Sequence, residues 1–242
     1  MGRLVVVSNR VAVPSRDGGS RAGGLAVAIR PVLKRHPGIW FGWSGRVAAA
    51  SEVTVRTTQH GRQTYVVTDL AQEEYQEYYN GYANRVLWPI LHYRLDLAEF
   101  SRRDLSGYMR VNQHFAAELH KLLQSDDVVW VHDYHLLPLA KALRDCGHRN
   151  QIGFFHHVPF PPPEILTALP NHEHLIPAMS YYDLVGFQTA IDATNFARYL
   201  RSEGGFASRD PHTLQAAARR FASVFFQLVS RQRNSSGLHD VR

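Results

Sequence analysis

Five short apolar runs rich in β-branched and aromatic side chains punctuate this 242-residue chain: Leu4 to Ser8, Thr64 to Thr68, Val128 to His132, Ile152 to His156 and Leu184 to Phe187. They are nearly continuous rather than alternating, the pattern of strands covered on both faces. Helical periods lie between them. Leu25, Ala28, Ile29, Val32 and Leu33 fall on one helix face, with Pro31 kinking or restarting the turn. Tyr108, Val111, Phe115, Leu119 and Leu122 form a second stripe, Leu136 to Cys146 a third helix with Pro138 in its first turn, and 189–201 a fourth opened by Thr189 and Asp192. Strands alternating with helices predict an α/β fold: a mostly parallel, doubly wound sheet, whose ligands bind beyond the carboxyl ends of the strands.

Composition narrows the function classes. With 45% hydrophobic, 11% aromatic and 20% charged residues the chain can bury a core. Its length suits one large domain, or one domain and a fragment. A single cysteine, Cys146, excludes an internal disulfide framework and multi-cysteine metal sites, and makes a reducing cytoplasm the simplest compartment. Met1 to Ser8 is too poor in apolar residues for a signal-peptide core, and no stretch approaches the roughly 18 apolar residues of a membrane span. The net charge of +6 comes largely from Arg scattered along the chain, whereas a nucleic-acid footprint needs a clustered stripe.

The residues following the strands are Ser8-Asn9-Arg10, His132-Asp133-Tyr134-His135, His156-His157-Val158-Pro159 and Phe187-Gln188-Thr189. Arg10 is either an anion clamp, since a guanidinium fork matches phosphate oxygens, or a surface ion pair. His132 and His135 have no further ligand set around them, so a metal site is disfavoured; Asp133 is better placed to accept from a hydroxyl or orient an imidazole. The loop holding Gly18, Gly19, Gly23 and Gly24 could admit a phosphate at a helix start, or be a plain turn; neither common phosphate-loop motif is present. Pro159 to Pro163 reads as a rigid loop wall more readily than as a polyproline ligand. Trp40 to Gly45, and Tyr78 through Pro89, place many aromatics in loop-like contexts suited to a sugar ring or to the core.

Ser8-Asn9-Arg10, Ala22-Gly23-Gly24-Leu25, Trp40-Phe41-Gly42-Trp43-Ser44-Gly45, Tyr79-Asn80-Gly81, Val86-Leu87-Trp88-Pro89, His132-Asp133-Tyr134-His135, His157-Val158-Pro159-Phe160-Pro161 and Gly186-Phe187-Gln188-Thr189 stand in this order along the chain. In that order they resemble the trehalose-6-phosphate synthase family, from Leu4 to about Arg220. The resemblance implies the Rossmann-like N-terminal half of a two-domain GT-B glycosyltransferase, which moves glucose from UDP-glucose to glucose 6-phosphate with retention and without metal or redox cofactor. It further implies that Arg10, Tyr79, Trp88 and Asp133 face the acceptor, that Gly23 and Gly24 line the donor diphosphate, that His157 contacts the transferred glucose, and that Gln188 closes the same wall. Asp133 and His157 are then the catalytic candidates.

Members of that family continue into a second domain that holds the nucleotide. The expected organisation here is an acceptor-binding domain over 1–220, an aberrant tail over 221–242, and no nucleotide-sugar domain. Two readings follow: a trehalose-6-phosphate synthase that needs a second domain for activity, or a non-catalytic fragment that binds glucose 6-phosphate at best. A transferase with another acceptor, such as a glycerol phosphate, is a third. A face left open by a missing domain also predicts self-association into a homo-oligomer.

Overall fold

Val5, Val6 and Val7 have no solvent exposure, which requires cover on both faces and pairing on both edges. The computed structural model, which describes residues 2–14, 29, 33 and 38–204, meets that requirement by placing β1 (Leu4–Arg10) inside a sheet. The other strands are β2 (Gly38–Ala48), β3 (Val55–His60), β4 (Gln63–Ala71), β5 (Val128–His132), β6 (Gln151–Phe155) and β7 (Leu184–Gly186). The order is β3-β4-β2-β1-β5-β6-β7, parallel throughout except for the antiparallel pair β3 and β4. The register sets Val5 between Ile39 of β2 and Val129 of β5. All five expected strands are present, and the fold class is the expected one.

Two strands were hidden in the sequence. Trp40-Phe41-Gly42-Trp43 belongs to β2 rather than to a loop; the three glycines of Gly38–Ala48 suggest turns, yet Trp40, Phe41 and Trp43 are buried between neighbouring strands. β3 is exposed along its whole length, so it carries no apolar pattern to read.

The second aromatic segment is also helical rather than loop-like. Helix α1 starts at Gln72–Glu74, continues through Tyr75–Leu87 and ends at Trp88–Leu91. Its middle 13 residues are wound as a π-helix, a wide form ordinarily confined to a single turn and often found beside functional sites. The Asn80-Gly81 pair looks like a turn, but Tyr78, Tyr82, Val86 and Leu87 are buried against the sheet. Helix α2 (Arg102–Leu122) crosses α1 so closely that a Cβ at Gly107 would sit 2.3 Å from Glu77 Cβ. The Glu77 carboxylate is buried there and receives both Arg103 and Arg110.

The remaining helices follow expectation. Tyr108, Val111, Phe115 and Leu119 of α2 are buried, and Ser101 caps its start by accepting from Asp104 N at 3.3 Å. Helix α3 (Leu139–Asp145) occupies the middle of the third period, after a 3-10 turn at Tyr134–Leu136. Helix α4 (Ala190–Ser202) is capped by Thr189, whose Oγ1 accepts from Asp192 N at 3.2 Å. Of the first helical period only Ile29 and Leu33 are described; both are helical and buried. The glycine loop and the 221–242 tail lie outside the described residues.

The edge strand is held by one carboxylate. Asp69, buried on β4, accepts from Arg56 of β3 at 2.7 and 2.8 Å, from Ser44 of β2 at 2.6 Å and from Thr54 at 3.2 Å. The Arg56 hydrogen bonds outweigh the opposing effect of burial and hold its pKa at about 2, against an ordinary 3.8. A folded pKa below the unfolded one gives stability that is present above the unfolded value and lost as pH falls through the folded value. The urea midpoint of the wild-type chain should therefore drop between pH 4 and 2 by more than that of Asp69→Asn. Equal pH dependence of the two would contradict this assignment.

Candidate active site

The chain leaves β1 toward β2 and β4 on one side, then returns to place β5, β6 and β7 on the other. This reversal opens a crevice beyond the carboxyl ends of β1 and β5. Arg10 ends β1, Asp133 follows β5, His157 follows β6 and Gln188 follows β7. Four of the residues singled out in the sequence thus come from four adjacent strand ends.

On the β1 side, the pairing of β1 with β2 shifts register between Ser8 and Arg10, a bulge that re-aims the strand end. Trp40 Nε1 donates to Ser8 Oγ at 2.9 Å, and that hydroxyl donates to the Arg10 carbonyl at 3.0 Å. The exposed Arg10 side chain lies over Trp43, with its guanidinium carbon 5.8 Å from the ring centroid. It also runs tight against the backbone of Gly45, where a Cβ would lie 2.6 Å from Nε and Nη2. Gly45 has a φ of +87°, so it serves both the turn and the close approach.

Aromatic rings carry the site from β2 to β5. Trp43 packs on Tyr79 at 5.5 Å, Tyr79 stacks on His135 at 5.8 Å and 13°, and His135 stacks on Tyr134 at 4.1 Å. Helix α1 contributes more than Tyr79: Tyr78 donates to Asn9 Oδ1 at 2.9 Å, and Asn84 accepts from the Tyr134 hydroxyl at 3.4 Å. The π-winding therefore lies directly over the crevice.

Asp133 is the joint on the β5 side. Its φ of +75° and ψ of 165° lie where a residue with a side chain is strained, a cost on the order of 1–3 kcal/mol. The strained turn lets Asp133 Oδ1 accept from Tyr134 N at 3.0 Å and from His157 N at 3.3 Å. His157 Nε2 lies 2.9 Å from His132 Nδ1, and its carbonyl accepts from Gln188 Nε2. Asp133, His157, His132 and Gln188 thus form one connected group.

Burial sets the electrostatics. It pushes the Asp133 carboxyl up and the His157 imidazole down, each partly offset by the other's charge. His132 and His135 are both lowered to about 3 and His156 to about 4, in each case mainly by burial. These histidines are neutral at pH 7, so the crevice sets the Asp133 carboxyl, whose pKa burial raises, among neutral rings and beside the exposed Arg10 guanidinium. Such a site can hold an anion at Arg10 and accept from hydroxyls at Asp133.

Trp88 stands further out, 42% exposed and stacked on His92 at 4.1 Å. His92 is near enough to act electrostatically on Asp133, which links Trp88 to the rim of the site. Gly23 and Gly24 lie outside the described residues. Sequence reasoning did not assign Trp43, Asn84, His92, His132 or His135; His132 and His135 stood in a quoted strand-end motif, whereas Asn84 and His92 had no readable signal. No cluster of three or more potential metal ligands occurs among the described residues. None of their helices is long and apolar enough to cross a membrane. A groove of about 1300 Å³ lies elsewhere, lined by Met109, Lys141, His174 and Tyr181 among others, and none of the singled-out site residues that are described lines it.

A model of glycosyltransferase family 20 matches residues 2–227. The chain belongs to that family. A trehalose-6-phosphate synthase of Sinorhizobium fredii is 53% identical over 206 residues, which make up 84% of this chain and 44% of the relative. One from an Enterobacter species is 47% identical over 228 residues, 94% of this chain and 48% of the relative. Among solved structures, the α,α-trehalose-phosphate synthase (UDP-forming) of Burkholderia xenovorans in complex with glucose-6-phosphate is similar with a TM-score of 0.77 and 45% identity, covering 84% of this chain and 44% of that one. The E. coli protein bound with UDP-2-fluoro glucose gives 0.76 and 48%, over 82% of this chain and 42% of that one. This member of glycosyltransferase family 20 thus has the α/β sheet of the N-terminal half of GT-B neighbours, and it spans less than half the length of the curated relatives it matches.

The buried stack gives a test of the geometry. Both ring nitrogens of His135 lack hydrogen-bond partners among the described residues, and the folded pKa of about 3 lies below the unfolded 6.5. The unfolded chain therefore binds a proton first on acidification, and this contribution to stability is lost as pH falls from about 6.5 toward 3. His135→Phe keeps a ring between Tyr79 and Tyr134 without a basic nitrogen. It should flatten the pH dependence of the urea midpoint over that range at little cost at pH 7. A strongly destabilised variant at pH 7 would show that the imidazole nitrogens are needed.

Proposed function

We propose that these residues form the acceptor side of a retaining glycosyltransferase that makes trehalose 6-phosphate from UDP-glucose and glucose 6-phosphate. The observation that carries the reading is the convergence of Arg10, Tyr79, Asp133, His157 and Gln188 at the switch point of the sheet. Family membership and the similarity to a relative holding glucose-6-phosphate support it.

In this reading Arg10 holds the acceptor's phosphate as a guanidinium fork, presented by the Trp43 face and the Gly45 turn. Tyr79 and Trp88 are walls against the sugar ring, and Asp133 accepts from its hydroxyls. His157 meets the transferred glucose, Gln188 braces the His157 backbone, and Gly23 and Gly24 line the donor diphosphate. The anomeric carbon exchanges its bond to the diphosphate oxygen for one to the acceptor hydroxyl oxygen, and the departing diphosphate takes the hydroxyl proton. Catalysis rests on positioning and charge stabilisation rather than on a protein nucleophile. The compartment that suits soluble sugar phosphates and an unpaired, exposed Cys146 is the cytoplasm.

Calorimetry of the full chain with glucose 6-phosphate tests the acceptor side. Arg10→Ala removes charge-assisted hydrogen bonds of about 1.5–3 kcal/mol and should weaken binding roughly 10- to 100-fold. Gly45→Ala, which leaves the guanidinium in place chemically but displaces it, should weaken binding in the same direction. Unchanged affinity in both variants would contradict the phosphate assignment. A parallel assay of UDP release, with a full-length relative as control, should show acceptor binding without turnover by this chain. Turnover at the relative's rate would mean that the donor site needs no more than these residues.

A further inference from the structure

We infer that His132 is a positioning residue: it holds the His157 imidazole in the tautomer that carries its hydrogen on Nδ1, so that His157 offers the crevice a donor.

His132 is buried at the end of β5, with Nδ1 2.9 Å from His157 Nε2 and with Nε2 lacking a hydrogen-bond partner among the described residues. Burial keeps it neutral, so its ring carries a single hydrogen. Placed on Nε2, that hydrogen would be an orphaned buried donor; placed on Nδ1, it is donated to His157 and only a lone pair is left unmet. Orphaned buried N–H groups are the rarer and costlier of the two. One hydrogen fits between the two nitrogens, so His157 Nε2 accepts. Burial lowers His157 as well, and its own single hydrogen must then sit on Nδ1.

The rest of His157 is fixed by its surroundings. Its N–H donates to Asp133 and its carbonyl accepts from Gln188, so the backbone is tied on both sides of the ring. The competing arrangement turns His132 Nε2–H onto the face of Trp130, whose ring centroid is 4.3 Å away, and makes His157 the donor to His132. An aromatic face is a weaker acceptor than an imidazole nitrogen. The ligand atom that suits His157 Nδ1–H is an oxygen with a free lone pair, a hydroxyl or phosphate oxygen of a nucleotide sugar; this identification of the ligand rests on the reading above, whereas the tautomer does not.

Long-range ¹H–¹⁵N correlation NMR of the ¹⁵N-labelled full chain at neutral pH reads the tautomer directly, with His157 assigned by its loss in His157→Gln. The wild type should show Nδ1–H over Nε2–H by about tenfold or more, the bias expected of one net buried hydrogen bond. His132→Phe should move His157 toward the Nε2–H form usual in water, and His132→Gln, whose amide can donate, should restore part of the bias. A wild-type ring protonated on Nε2 overturns the inference without reference to any variant's folding, as does an unchanged pattern in a folded His132→Phe. Should UDP-glucose and glucose 6-phosphate both fail to bind while the tautomer is as stated, the functional reading falls and this one stands.

Discussion

Everything in the crevice depends on β1 being hydrogen bonded on both edges and covered on both faces. Val5, Val6 and Val7 leave water completely, each worth roughly 1.5–3 kcal/mol. Their pairing with β2 and with β5 places the chain's reversal of direction at one line in the sheet. The strand ends meeting at that line carry Arg10 and Asp133. The strong apolar pairing of the strands thus fixes where weakly held polar groups can act.

The crevice is built by excluding water from most of its described parts while leaving the Arg10 side chain exposed. The aromatic series from Trp43 through Tyr79, His135 and Tyr134 fills the space between the β2 and β5 ends. His135 within it is neutral at pH 7, and electrostatic interactions in such buried surroundings are stronger than in water. Arg10 lies at the wet end of the series and Asp133 at the dry end. Strain at Asp133 is sustained because its carboxylate is tied to Tyr134 and His157, which holds the acceptor group in place before any ligand arrives.

Much of this was legible in the sequence because buried parallel strands are written as uninterrupted apolar runs, and the proposed site residues follow those runs immediately. Arg10, Asp133, His157 and Gln188 are all found by that rule. β3 was not legible because an edge strand with both faces in water leaves no apolar mark. β2 and α1 were obscured by glycine and Asn-Gly pairs, which read locally as turns but are overridden by burial of Trp40, Phe41, Tyr78 and Tyr82. The stacking of His92 on Trp88 was hidden for another reason: no apolar period marks a histidine at this end of the helix.

In the proposed function Arg10 and Asp133, at the ends of two adjacent strands, hold opposite ends of one phosphorylated sugar. A crystal structure of the chain soaked with glucose 6-phosphate tests it most directly. The account predicts the phosphate on the Arg10 guanidinium above Trp43 and a sugar hydroxyl on the Asp133 carboxylate. A sugar phosphate ordered elsewhere, with Arg10 and Asp133 untouched, would contradict it.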